Sequence, residues 1–87
     1  LMDRMPGAEV TVPVERAARG VAGVLDVEKL VVRRAGAHLF VDIHVQADGR
    51  TPLDEAHVIG GKVKGAIRAA VPQVAGVLVH MEPYEGG

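Results

Sequence analysis

Two histidines, each two residues from an acid, stand in stretches that are typical of β-strands. His44 follows Asp42 in one apolar stretch, and His80 precedes Glu82 in another. Because strand side chains alternate between two faces, each histidine shares a face with its acid, opposite the neighbouring apolar residues. If the apolar faces join one core, two imidazoles and two carboxylates emerge together on the other face. Such nitrogen and oxygen donors suit a divalent transition metal, zinc above all.

The same residues have a plainer explanation, because an uncovered sheet face also carries solvated polar side chains. Two further histidines are placed less clearly. His57 lies in a predicted helix, and is expected either on the helix surface or, in a dimer, at the site of a second subunit. His38 shares the face of His44 but lies about 20 Å away along the strand, at roughly 3.3 Å per residue. We therefore expect His38 to be a turn residue.

Composition limits the classes of function. The 87 residues make one small domain, and 48% are hydrophobic while only 2% are aromatic. The core must therefore be aliphatic, with Phe40 as its one large aromatic candidate. A net charge of −1 without a basic patch argues against nucleic acid as a partner. The chain has neither Cys nor Ser, which excludes thiolate metal sites and Ser or Cys nucleophiles. No feature supports catalysis, so an enzyme is not expected.

Local signals predict the order helix, strand, strand, helix, strand. The first helix is expected to open at Thr11 as its cap and to end by Gly23. The second is expected to open with Thr51 as its cap and Pro52 at its first position, and to stop before Pro72. The strands are expected at 24–34, 38–46 and 74–82.

This order predicts a layered fold. Two amphipathic helices must cover one face of a three-stranded sheet, which gives an α+β, truncated ferredoxin-like αββαβ sandwich. The apolar stripe of the second helix consists of Leu53, Ala56, Gly60, Val63, Ile67 and Ala70. The opposite sheet face stays open. The two histidine–acid pairs are expected on that open face.

Six short motifs follow one another in an order and spacing that are specific when taken together. They are Leu1-Met2-Asp3, Gly23-Val24, Arg33-Arg34-Ala35-Gly36, Val41-Asp42-Ile43-His44-Val45, Glu55-Ala56-His57 and Val79-His80-Met81-Glu82-Pro83. Over nearly the whole chain they resemble the C-terminal cytoplasmic domain of cation diffusion facilitator transporters. The resemblance implies a homodimeric, V-shaped, metallochaperone-like αββαβ domain at the cytoplasmic face of the inner membrane. It implies an integral membrane transporter that exchanges divalent cations, usually zinc, for protons.

The resemblance also implies a ligand set. His44, His80 and Glu82 match a zinc site, and His57 matches a ligand that comes from the neighbouring subunit. Asp42 is a rival to His44. Some members carry a further histidine where this chain has leucine at position 25, which favours a single metal site per subunit over a two-metal cluster.

Domain boundaries follow from the same resemblance. Residues 1–8 are expected to be a linker from a preceding transmembrane domain that is absent from this chain. Residues 9–87 are expected to form the cytoplasmic regulatory domain, which binds metal and dimerises.

Two functions remain open. In the first, zinc or another divalent transition metal binds the domain and closes the homodimer, which favours transport. In the alternative, the domain is a metal-independent structural dimerisation domain of the same type of transporter. A soluble metallochaperone is disfavoured because the expected Cys pair is absent.

Overall fold

The computed structural model describes residues 5–86, which form two helices and one sheet of three strands. The elements are α1 (Ala8–Arg19), β1 (Asp26–Ala35), β2 (His38–Ala47), α2 (Leu53–Ala70) and β3 (Val74–Pro83). The predicted order and the αββαβ sandwich are confirmed. Residues 1–4 of the predicted linker lie outside the described residues. Neither helix of the described chain is long and apolar enough to cross a bilayer.

The three strands pair in the order β1-β2-β3. β1 and β2 form an antiparallel hairpin, and its turn uses Gly36 at φ 61°, a conformation that glycine adopts without strain. β2 and β3 pair in parallel, because α2 carries the chain back along the sheet before β3 begins. The parallel pair is the one that carries both predicted histidines.

The apolar core lies between the helices and one face of the sheet. β2 supplies its centre, since Val41, Ile43 and Val45 are each at most 3% exposed. From α1, Val14 and Ala18 are fully buried against it. The other elements complete the core with Val27, Val32, Val63, Ile67, Val71, Val74 and Val77. The expected aliphatic core is confirmed.

Phe40 is not part of this core, so that expectation was wrong. The ring lies half-buried on the open face, with the guanidinium carbon of Arg33 5.6 Å from its centroid. The adjacent Leu39 takes the core position at 1% exposure. Gly76 leaves room for the ring, because a Cβ there would lie 3.2 Å from it. Strand alternation, not side-chain size, therefore decides which residue is buried.

α1 begins one turn before the predicted cap. Gly7 is its cap residue, and the Gly7 carbonyl accepts the backbone N–H groups of Val10 and Thr11 at 3.0 and 3.1 Å. These two bonds add a turn upstream of the expected start. Thr11 is therefore inside the helix, where its hydroxyl donates to the same Gly7 carbonyl at 3.4 Å.

α2 begins at Leu53, next to the predicted start. Thr51 is not its cap, because no side chain makes a capping hydrogen bond and the first helical bond runs from the Ala56 N–H to the Pro52 carbonyl at 2.9 Å. Pro52 is the cap residue and not the first helical residue. The first residue of the predicted stripe does not pack, since Leu53 is 87% exposed. The buried part of the stripe is Gly60, Val63 and Ile67.

Candidate metal centre

The polar residues of the open face come together where β2 and β3 run side by side. Parallel pairing sets His44 beside His80, and their rings stack with centroids 4.3 Å apart and an interplanar angle of 16°. Because neighbouring strands lie about 4.8 Å apart, the spacing of the rings follows from the sheet. Asp42 and Glu82 lie on the same face, so alternation placed all four side chains correctly.

Asp42 lies against the Nε2 atoms of both histidines. Its Oδ1 is 2.9 Å from Nε2 of His80 and 4.0 Å from Nε2 of His44. Ligand atoms of the three residues lie within 4.8 Å of one another, and we call them the Nε2 group. Such spacing suits a single ion with bonds of about 2.0–2.2 Å to nitrogen and oxygen. Asp42 and His44, predicted as rivals, thus belong to one group.

Glu82 lies on the other side of the His44 ring. Its Oε2 is 2.5 Å from Nδ1 of His44, and a carboxylate oxygen accepts, so His44 carries a proton on Nδ1 and donates it. This hydrogen bond holds the pKa of Glu82 below its usual range, against the opposing effect of partial desolvation. Oε2 of Glu28 lies 3.7 Å from the same Nδ1. We call Glu28, His44 and Glu82 the Nδ1 group.

Glu28 was not among the predicted site residues. Val27 and then Lys29 pair with consecutive residues of β2, so Glu28 is the extra residue of a β-bulge. A bulge re-aims side chains locally, and here it brings a carboxylate to His44. One signal was available in the sequence. Val27 and Leu30 are three residues apart with two charged residues between them, which breaks the period of two.

Two other histidines stay away from both groups of the described chain. His57 is exposed on α2, and α2 packs on the opposite face of the sheet. Its predicted place at the site of a second subunit stays a prediction. His38 is exposed at the start of β2, as expected for a turn residue. Leu25, where the resemblance led us to look for a further histidine, is 52% exposed just before β1.

The site is shallow and open to water. His44 has the most shielded side chain at 24% exposure, compared with 41% for His80 and 50% for Asp42. Beside it, a cleft of about 300 Å³ is lined by residues that include Phe40 and Leu78. Three carboxylates around two imidazoles make the local potential negative when the histidines are neutral. The arrangement can therefore attract and hold a divalent cation.

Comparison with known proteins identifies the family of the chain. The family model described as the cytoplasmic domain of cation efflux proteins (ZT_dimer) matches residues 6–84. Metal tolerance protein C1 of Arabidopsis thaliana is 31% identical over 83 residues, which are 95% of this chain and 18% of that protein. Cation-efflux pump FieF of Yersinia pestis (strain Pestoides F) is 36% identical over 61 residues, which are 70% of this chain and 20% of the pump. The chain thus spans about a fifth of the length of these relatives.

Solved structures match the fold. A structure of the MamM C-terminal domain has a TM-score of 0.84 and 25% identity, with 87% of this chain and 96% of that chain covered. A cadmium form of a variant of the same domain has a TM-score of 0.85 and 25% identity, with 88% and 96% covered. The family match, the relatives and the fold agree with the resemblance of the motifs. The chain belongs to the family of cytoplasmic domains of cation efflux proteins.

Proposed function

We propose that this domain senses a divalent transition metal for a cation efflux transporter and regulates transport by closing a homodimer. Zinc is the first candidate among the ions. The observation that carries the proposal is the Nε2 group, in which Asp42 lies between Nε2 of His80 and, more distantly, Nε2 of His44.

The donor set supports a transition metal. Two imidazoles and one carboxylate with an open position suit zinc, and also suit cobalt, nickel, cadmium, iron or manganese with different affinity. The names of the relatives concern metal tolerance and cation efflux, and a related solved domain is a cadmium form. These names support a metal as the ligand of this chain.

Glu82 takes a supporting role in this proposal. Metal-bound histidines commonly donate their second N–H to a carboxylate, which fixes the tautomer and the ring orientation. Glu82 accepts such a bond from Nδ1 of His44, which leaves Nε2 free for the metal. Glu82 therefore orients His44 for the Nε2 group.

In this proposal, metal binding acts on transport by closing the homodimer. The name of the matching family model, ZT_dimer, supports dimerisation. In the dimer, His57 of a second subunit would complete the set of metal ligands. A metal shifts the equilibrium only by its differential affinity for the closed dimer. The ligand of the second subunit supplies that difference, because it is in place only when the dimer is closed. In the cell, the domain would lie at the cytoplasmic face of the inner membrane, behind a linker that ends before Ala8, the first residue of α1.

Zinc titration tests the proposal. We expect calorimetry to give zinc binding at about pH 7.5 and much weaker binding at about pH 5.5, because protonated imidazoles do not ligate. Small-angle scattering should show compaction of the dimer on addition of zinc. The His44→Ala, His80→Ala double variant should lose both responses. His38→Ala is the matched control, since His38 is exposed and outside both groups, and it should keep them.

The outcomes separate the two functions. Equal zinc affinity at both pH values would rule out histidine ligands. An intact dimer that shows no zinc response would favour metal-independent dimerisation. The exposed apolar residues of the open face, Val31 and Leu78 at 37% and 55% exposure, favour that alternative.

A further inference from the structure

His44 has carboxylates at both ring nitrogens. On one side Nε2 is 4.0 Å from Oδ1 of Asp42. On the other side Nδ1 is 2.5 Å from Oε2 of Glu82 and 3.7 Å from Oε2 of Glu28. Each side therefore offers a cation one imidazole nitrogen and at least one carboxylate oxygen. The proposed function uses the Nε2 side alone.

A neutral imidazole carries one proton, and a metal takes the nitrogen that lacks it. When a metal occupies the Nε2 group, Nδ1 of His44 keeps the proton and donates to Glu82. When a metal occupies the Nδ1 group, the proton must move to Nε2, which lies 4.0 Å from the Asp42 carboxylate, so that Asp42 accepts it after a small approach. One neutral ring cannot serve both groups at the same time.

We propose that Glu28, His44 and Glu82 form a second cation site that alternates with the Asp42, His44 and His80 site in the same chain. The inference rests on the proposed function for its first site. Each group supplies the carboxylate that accepts the ring proton while the other group holds the ion. Binding at one site therefore excludes binding at the other.

The two sites differ in the ions that they suit. Two carboxylates and one imidazole make the Nδ1 group richer in oxygen than the Nε2 group, which has two imidazoles and one carboxylate. Carboxylate oxygens suit harder ions such as Mn²⁺, whereas imidazoles suit Zn²⁺. The identity of the ion thus selects the ring nitrogen. Zn²⁺ favours the side of His80, and Mn²⁺ favours the side of Glu28.

Glu28 is the residue that makes the second site. Without the bulge, regular alternation would send one of two consecutive side chains to each face. The bulge sets two residues of β1, Glu28 and Lys29, against His44. The Glu28 carboxylate completes a group of three ligand atoms within 4.8 Å.

The test uses this 87-residue chain with zinc alone and with manganese alone. Long-range proton–nitrogen NMR of the histidine rings identifies the nitrogen that zinc occupies. In the wild type, we expect zinc at Nε2 of His44 and one zinc per chain. In an Asp42→Ala, His80→Ala variant, zinc should move to Nδ1 of His44. Adding Glu28→Gln to that variant should weaken zinc binding by at least the roughly 10- to 100-fold that outer partners contribute.

The manganese titration is done without removing the ligands of the first site. In the otherwise wild-type chain, Glu28→Gln should lower Mn²⁺ affinity more than His80→Ala does. Glu9→Gln is the matched control, because Glu9 lies in α1 and outside both groups. It should leave the affinity for both ions unchanged.

Different outcomes contradict the second site and the first site. Two zinc ions on one chain with both His44 nitrogens occupied would overturn the inference. Zinc binding by the double variant that is absent or independent of Glu28 would overturn it as well, while the first site stands. If the wild type bound no zinc, the proposed first site would fall. Manganese binding that depends on Glu28 would then still support the second site.

Discussion

At the scale of single residues, one hydrogen bond is the main cause of the lowered pKa of Glu82. The Nδ1–H of His44 donates to its carboxylate and lowers its pKa, although partial desolvation acts in the other direction. The folded-state pKa therefore lies below the unfolded value, which is about 4.3 for glutamate. Glu82 stabilises the fold above that unfolded value, and this stabilisation is lost as the pH falls through the folded-state pKa.

Replacement of the donor should reverse this shift. We expect His44→Phe to raise the pKa of Glu82 toward about 4.3, because a phenyl ring has no N–H to donate. Carbon-13 NMR titration of the Glu82 carboxyl in the metal-free chain measures the change. His80→Phe is the control, since it leaves the His44–Glu82 bond in place, and its effect should be smaller. An unchanged pKa in His44→Phe would mean that the hydrogen bond is not the cause.

Phe40 shows what residue type alone cannot predict. Its size and apolar character favoured the core, but its place in the alternation of β2 puts it on the open face beside Arg33. The same alternation predicted the faces of Asp42 and His44 correctly. Position in the strand was thus more informative than hydrophobicity for every one of these residues.

At the scale of elements, two glycines have opposite roles. Gly23 lies between α1 and β1 at φ +96°, and a Cβ there would lie 2.6 Å from Cδ1 of Ile59. Gly61 lies inside α2, and a Cβ there would have no neighbour within 4 Å. The first glycine is required by its backbone conformation, and the second only weakens the helix.

Alanine substitution should separate these two roles. We expect Gly23→Ala to lower the free energy of unfolding by about 1–3 kcal/mol, the usual cost of a strained left-handed backbone. Gly61→Ala should raise it by about 1 kcal/mol, the difference in helix propensity. Urea denaturation of the two variants beside the wild type measures both values. Equal effects of the two substitutions would contradict this assignment.

The strands and helices were predictable to different degrees. The faces of β2 and β3 followed from regular alternation, and the five elements followed from local signals. The face of Glu28 could not be predicted from the sequence, because a bulge is recognised only when the pairing of β1 with β2 is known. The helix starts differ from the predicted ones because backbone bonds to the carbonyls of Gly7 and Pro52 set them, and not the side chains of the predicted threonine caps.

At the scale of the whole molecule, one face of the sheet is covered and the other is open. The helices and the core lie on one side, and the Nε2 and Nδ1 groups share the other with exposed Leu78 and half-buried Phe40. A single aliphatic core in a domain of this size gives only a small net stability. A ligand that binds the folded state alone therefore has a large relative effect.

Thermal unfolding should report that effect. At a free zinc concentration of 100 times the dissociation constant, binding stabilises the fold by about 2.7 kcal/mol. For a domain of this length, we expect Tm to rise by roughly 10–20 °C. EDTA should reverse the rise, and the His44→Ala, His80→Ala variant should show none. Differential scanning calorimetry measures the rise. An equal rise of Tm in the wild type and the variant would indicate that zinc binds outside the two groups.

The parallel pairing of β2 and β3 has a kinetic consequence. His44 and His80 lie on opposite sides of α2 in the chain and become neighbours only when the two strands pair. A cation held by both must release at least one of the two histidines before those strands separate. A bound metal should therefore lengthen the lifetime of the folded domain by slowing unfolding, even where the rate of folding is unchanged.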